Sequence, residues 1–253
     1  MDMDYSIDIR EKDGVRTLHF ESHWTQGAMR VTHPSELVLE YTRTMMASLL
    51  MRDEKDFPKS VLLIGLGAGS LTKFLYQHCP TANLTIIEID PRVLDVARDH
   101  FELPDDPMRM KIVIGDGVEY MAFTDQTYDL IIVDGFNDHA HPGGLNSLHF
   151  YEASLLRLNK LGILVVNLIG LSDGVKGGLA LIEVAFENRA IRFPRCKSGN
   201  TIVFAATGEP VNIPISQLKS GALELRRRTG LSLVEMITKF EVSDAVKNGT
   251  LIL

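Results

Sequence analysis

Apolar and polar positions alternate over residues 5–31, through three β-forming segments, Tyr5 to Arg10, Val15 to Phe20 and Thr25 to Val31. Side chains on a strand point to its two faces in turn, so this pattern predicts a small N-terminal β-sheet with one covered face. The Asp13-Gly14 pair between the first two segments is a hairpin signal. A sheet this small is not expected to stand alone, and should pack on the rest of the chain or on a partner subunit. We place its boundary at residue 35, which divides the chain into 1–35 and 36–253.

After residue 35 the period changes. Leu37, Leu39, Tyr41, Met45, Met46, Leu49 and Leu50 predict a helix from about 36 to 51, capped by Ser35, with its methionines as core filler. A charged link then leads to Val61-Leu-Leu-Ile64, a continuous apolar run of the kind expected for a buried parallel strand. Gly65-Leu-Gly-Ala-Gly-Ser70 follows, then an amphipathic helix to about His78, then a second strand ending in Glu88-Ile-Asp90. Pro91 suits the first turn of the next helix, which continues through Val93 to Phe101.

Strands at Met110 to Ile114, Tyr128 to Asp134 and Gly162 to Leu168 alternate with helices at Val118 to Phe123, Leu145 to Leu158 and Val175 to Arg189. Strands near Ala190 to Pro194 and Thr201 to Ala206 should form an antiparallel hairpin, and helices near Ser216 to Arg228 and Ser232 to Phe240 close the chain. Strand and helix in alternation predict an α/β fold, with one mostly parallel sheet covered on both faces.

Composition adds bounds. The 253 residues are 45% hydrophobic, ample for a core, and no apolar run approaches the length of a membrane span. The net charge of −7 argues against a nucleic-acid partner and is compatible with a cationic ligand. Cys79 and Cys196 are single and far apart, which fits reduced structural thiols, and with no signal-peptide pattern the expectation is a cytoplasmic protein. The free edges of the N-terminal sheet suggest a homodimer or homotetramer. Arg226-Arg227-Arg228 reads as a solvated helix end.

Candidate chemistry gathers at the carboxyl ends of the strands. Gly65, Gly67 and Gly69 let the backbone turn tightly and bring its amides near a ligand, although such a loop could also merely pack a helix on a strand. Glu88 lies 23 residues after Gly65, close to the spacing at which an acid ends the second strand and accepts ribose hydroxyls. Ser70 stands where a dinucleotide loop has its third glycine, so nicotinamide is disfavoured and a nucleoside on a sulfonium is preferred. The long polar loop 135–144 follows the fourth strand, where α/β domains place their chemistry. His139 and His141 in it have no strong metal spacing; we expect no metal, and read them as residues over the substrate able to act as acid or base. Trp24 borders either the substrate pocket or the core.

With these motifs in order, the chain resembles the spermidine synthases, the polyamine aminopropyltransferases, which share the fold of class I S-adenosylmethionine-dependent methyltransferases. The likeness spans roughly residues 15–210: the glycine loop 61–70, Glu88-Ile-Asp90, Gly115-Asp-Gly117, Tyr128 to Asp134, and Leu148-His-Phe-Tyr151. It implies a Rossmann-like S-adenosyl-nucleoside-binding transferase domain over 36–253. Gly65, Gly67, Ala68 and Gly69 would admit the donor's side chain, Glu88 the ribose, Asp116 and Gly117 the adenine, and Gln26 would also touch the nucleoside. Asp134 would accept the proton, with Asp138 as a second acid, and Tyr41, Asn137 and His139 would face the acceptor.

Three departures bear on the reaction. The family's glycine loop carries an aspartate where this chain has Ala68; that acid pairs with the amine of decarboxylated S-adenosylmethionine, whereas the intact cofactor brings its own carboxylate. Asn137 stands where the family has a second aspartate, with Asp138 one residue on. Tyr41-Thr-Arg43 occupies the family's Tyr-x-Glu, and an arginine facing the acceptor would repel a dication. These favour methyl transfer from intact S-adenosylmethionine to a small acceptor. Aminopropyl transfer to an amine is the second reading and a non-catalytic nucleoside-binding relative the third.

Overall fold

The structure is a computed structural model and describes residues 5–21, 25–53, 56–136, 142–170, 172–243 and 245–253. Strands β1 (Ile7–Lys12), β2 (Val15–Phe20) and β3 (Thr25–Arg30) form an antiparallel sheet in that order. The first turn is the expected hairpin, since Asp13 and Gly14 both have positive φ, 53° and 72°.

Seven strands make the central sheet: β4 (Ser60–Ile64), β5 (Asn83–Glu88), β6 (Met110–Ile114), β7 (Tyr128–Val133), β8 (Leu158–Leu168), β9 (Ala190–Arg192) and β10 (Thr201–Ala206). Their order is β6-β5-β4-β7-β8-β10-β9, and β10 runs antiparallel to both of its neighbours. The chain crosses outward in opposite directions from β4 and from β7, so a crevice opens at their carboxyl ends.

Alternate residues of β4 feed two cores. Val61 and Leu63 face one, with Phe74 of α2 (Ser70–His78) and Val93 of α3 (Pro91–His100). Leu62 and Ile64 face the other, with Met121 of α4 (Gly117–Phe123), Phe150 of α5 (Leu148–Leu156) and Ile182 of α6 (Ser172–Ala185). The first core also takes in Leu18 and Met29 of the N-terminal sheet, which thus packs on the main sheet.

Three expectations need correction. The first helix, α1, spans only Glu40–Met45 and passes into a 3-10 turn, Met46–Leu50. Ser35 does not cap it: Leu39 is the N-cap, and the Glu36 carboxylate is taken by Arg30 at 2.8 Å, which ties 32–36 to β3 as turns. The helix expected from Leu145 starts at Leu148, behind a 3-10 turn at Gly143–Leu145, because Ser147 caps it through the Phe150 amide. At the C-terminus, α7 (Ile215–Thr229) and α8 (Val234–Glu241) are flanked by the strands of a small unforeseen sheet, β11 (Asn212–Pro214) before them and β12 (Val246–Lys247) and β13 (Thr250–Ile252) after them. Among the described residues no helix is long and apolar enough to cross a membrane.

Candidate active site

A cavity of about 660 Å³ lies at the carboxyl ends of β4, β5 and β7, roofed by β3, α1 and the segment 142–145. Its floor is the glycine loop. Gly65, Gly67 and Gly69 have φ of 97°, 51° and 65°, a region that side chains rarely allow. A Cβ on Gly65 would collide with the Asp134 carbonyl, so the loop's first turn and the end of β7 touch through bare backbone. Gly65, Gly67 and Ala68 border the cavity. Gly69 is not among its lining residues; it is the left-handed N-cap of α2, packed under Leu103.

Glu88 ends β5 and is 7% exposed, with its carboxylate pinned in place. Its Oε2 accepts the Leu66 amide at 2.9 Å and its Oε1 the Asp90 amide at 3.0 Å. Burial pushes its pKa above the ordinary value, against the pull of the surrounding backbone amides. Asp116 caps α4 through the Val118 amide, 2.7 Å from Oδ1, and borders the cavity with Gly117. Gly117 has no room for a side chain, since a Cβ would sit 2.5 Å from Ile64 Cγ2. Gln26 borders the cavity from β3, and its carbonyl lies 3.2 Å from where a Cβ on Gly67 would be.

Asp134 stands at the far end, enclosed by protein but with part of its surface toward the cavity. Asn167 Nδ2 donates to its Oδ1 at 2.8 Å, and the Tyr41 hydroxyl interacts with it from α1. Burial raises the Asp134 pKa, while Asn167 and Tyr41 lower it by stabilising the anion. The same pairing, with burial first, drives the Tyr41 phenol well above its ordinary value. A half-buried carboxylate at the base of a cleft, held by neutral donors, can orient a nucleophile and take its proton.

Arg43 is not where the sequence put it. Its guanidinium donates to the carbonyls of Leu37 at 3.2 Å and Val38 at 2.5 Å, and it borders a separate cavity near residues 32–37 and the turn between α7 and α8. Two residues along a helix is a turn of about 200°, so Tyr41 and Arg43 face opposite ways. Trp24, Asn137, Asp138, His139 and His141 lie outside the described residues. Among those described, no group of three or more His, Cys, Asp or Glu is placed to hold a metal ion.

The sequence reading missed Asn167 and Asn200. Asn167 was visible in principle as the one polar position in the apolar run 163–168, whereas Asn200 approaches only through the fold.

The Spermine/spermidine synthase domain profile matches residues 39–167, which span the roof helix, the glycine loop, Glu88, Asp116, Asp134 and Asn167. A polyamine aminopropyltransferase of Chromobacterium violaceum is 32% identical over 247 residues, 98% of this chain and 94% of that protein. Human methyltransferase-like protein 13, solved in complex with SAH, superposes with a TM-score of 0.67 at 27% identity, over 76% of this chain and 93% of that one. A spermidine synthase solved with the transition-state analogue AdoDATO shares the fold, with a TM-score of 0.74 at 21% identity over 98% of this chain and 85% of that one. With the family's domain and an end-to-end relative both in place, the chain belongs to the spermine/spermidine synthase family.

Proposed function

We propose that this protein transfers an aminopropyl group from decarboxylated S-adenosylmethionine to an amine of the polyamine type. The observation that carries this reading is the charge of the cavity. Glu88, Asp116 and Asp134 border it, as does Glu40, whose carboxylate is paired with Lys239 at 2.9 Å, and no lysine, arginine or histidine borders it among the described residues. The decarboxylated donor is cationic at sulfur and at its terminal amine, and a polyamine is cationic too, so both match such a lining. Intact S-adenosylmethionine carries a carboxylate, for which the described wall offers neutral hydroxyl and amide donors and no cation. Arg43, which weighed against a cationic acceptor, faces another cavity.

The residues fit the donor. Gly65 and Gly67 let the loop turn against the Asp134 and Gln26 carbonyls and border the cavity, Glu88 is held by two amides at the end of β5, and Asp116 keeps an oxygen for the adenine amine. The donor supplies a carbon already activated by sulfonium sulfur. Asp134 would align the attacking amine and receive its proton as the new N–C bond forms and the C–S bond breaks, leaving neutral methylthioadenosine.

Ala68 supports methyl transfer as a second reading, because it leaves the loop without the acid that would meet the donor's terminal amine. Incubation with putrescine and each donor separates the two. Spermidine and methylthioadenosine from the decarboxylated donor are expected; methylated product from intact S-adenosylmethionine alone would overturn the aminopropyl reading.

A further inference from the structure

We propose that Asn200 is a positioning residue for Asp134, acting through Asn167, and that Ser198 sets its direction. This builds on the reading of Asp134 as proton acceptor. Ser198 Oγ lies 2.6 Å from Asn200 Oδ1, Asn200 Nδ2 lies 3.0 Å from Asn167 Oδ1, and Asn167 Nδ2 lies 2.8 Å from Asp134 Oδ1. The line runs from an exposed turn through two buried amides to the carboxylate.

The direction of this line follows from one end. An ionised carboxylate only accepts, so Asn167 must present its NH₂ group to Asp134. Its carbonyl then needs a donor, which only the NH₂ of Asn200 can be in this pairing, and the carbonyl of Asn200 in turn needs the Ser198 hydroxyl. If Asp134 carried a proton on Oδ1, every bond could reverse. The two amide orientations are therefore coupled to the protonation state, and whatever holds Asn200 as a donor favours the anion.

The turn that carries Asn200 is itself fixed. Its carbonyl accepts the Cys196 amide at 2.8 Å, and Gly199 donates to the Cys196 carbonyl at 3.0 Å. Glu40, one residue before Tyr41, accepts the Lys197 amide at 2.8 Å and the Lys239 ammonium at 2.9 Å. The helix that presents Tyr41 to Asp134 thus also anchors the turn that presents Asn200. Tyr41 is the titratable group that interacts with Asp134 among the described residues.

Asn200→Asp removes the donor at nearly constant shape, and Ser198→Ala removes the terminal one at an exposed turn; both residues border the cavity, so nucleoside affinity is measured beside the titration. Calorimetry with methylthioadenosine should show parental affinity in both. For Asn200→Asp, kcat should fall about tenfold at neutral pH and recover at alkaline pH, with the acid limb of the profile moved upward and the donor KM unchanged. Ser198→Ala should move the limb the same way by less. Carboxyl NMR titration of ¹³C-aspartate-labelled protein, with Asp134→Asn to assign the signal, reads the same displacement without any turnover, so it stands even if the parent transfers no aminopropyl group. An unmoved Asp134 titration in Asn200→Asp that binds nucleoside normally would overturn the proposal.

Discussion

Gly27 and Ala68 are in contact across the roof of the cavity: a Cβ on Gly27 would lie 2.5 Å from that of Ala68 and 2.8 Å from its amide nitrogen. The absence of a side chain at Gly27 is what lets the glycine loop carry one at Ala68, which borders the cavity while 2% exposed. Ala68→Asp would extend from this tight contact toward the cavity that Ala68 borders, and on the aminopropyl reading would bring a carboxylate near the donor's terminal amine. The expected result is about tenfold tighter binding of decarboxylated S-adenosylmethionine, with weaker binding of the intact form. Calorimetry with both ligands checks this, and an unchanged preference would remove Ala68 as a specificity determinant.

Asp134→Asn separates function from stability. Burial raises the Asp134 pKa in the folded chain, so its stabilising contribution is complete below the unfolded pKa and is lost as pH rises through the folded one. At neutral pH the parent carries the cost of a buried charge that an amide avoids. The variant should melt about 2–5 °C higher than the parent at pH 7, with the difference closing toward pH 4, while turnover falls about 10²–10⁴-fold. Thermal melts across this pH range check the sign. A difference that widened in acid would show that Asp134 stabilises the fold as an anion.

What the sequence made legible, and what it hid, divides by the range of the interaction. The continuous apolar runs at 61–64 and 130–133 predicted β4 and β7 because both faces of those strands are covered, and the glycines announced their own backbone angles. The start of α1 lies later than the pattern suggests, because Leu37 is four residues before Tyr41 and so matches helical spacing, while Leu39 has extended backbone and Arg30 holds Glu36 in the turn before it. Arg43 was placed by its distance along the chain from Tyr41, which ignores the turn of the helix between them. The strands β11 to β13 are two or three residues long and too short for any periodicity. Asn200 reaches Asn167 across 33 residues, a contact that exists only because β10 pairs antiparallel with β8.

Glu88 tests the nucleoside assignment independently of the reaction. Its two oxygens meet the amides of Leu66 and Asp90, so a glutamine would set its NH₂ against one of two N–H donors. Glu88→Gln should weaken methylthioadenosine binding about 100-fold, since a ribose hydroxyl loses a charged acceptor and the loop loses its tie. Asp134→Asn should leave the same affinity nearly unchanged. Equal losses in the two variants would indicate collapse of the cavity and not a ribose contact.

Tyr5 gives the last prediction, and its sign is opposite to that of Asp134. The Tyr5 hydroxyl donates to Asp90 Oδ2 at 2.7 Å, its ring lies 4.7 Å from the Arg92 guanidinium, and it borders the cavity beside Phe20. Burial acts to raise the Asp90 pKa, but the hydrogen bonds from Arg92 and Tyr5 outweigh it and hold the carboxyl below its ordinary value. Stability from this cluster is therefore present above the unfolded pKa and is lost as pH falls through the folded one. Tyr5→Phe keeps the ring and removes one donor, and should cost about 1 kcal/mol at pH 7, a modest figure because Arg92 still serves the carboxylate and solvent screens the pair. Urea unfolding at pH 7 and pH 3 measures it. The loss should be smaller at pH 3, closer to the depressed pKa of the folded carboxyl, and a loss of equal size at both values would place the effect in ring packing instead of the hydrogen bond to the anion.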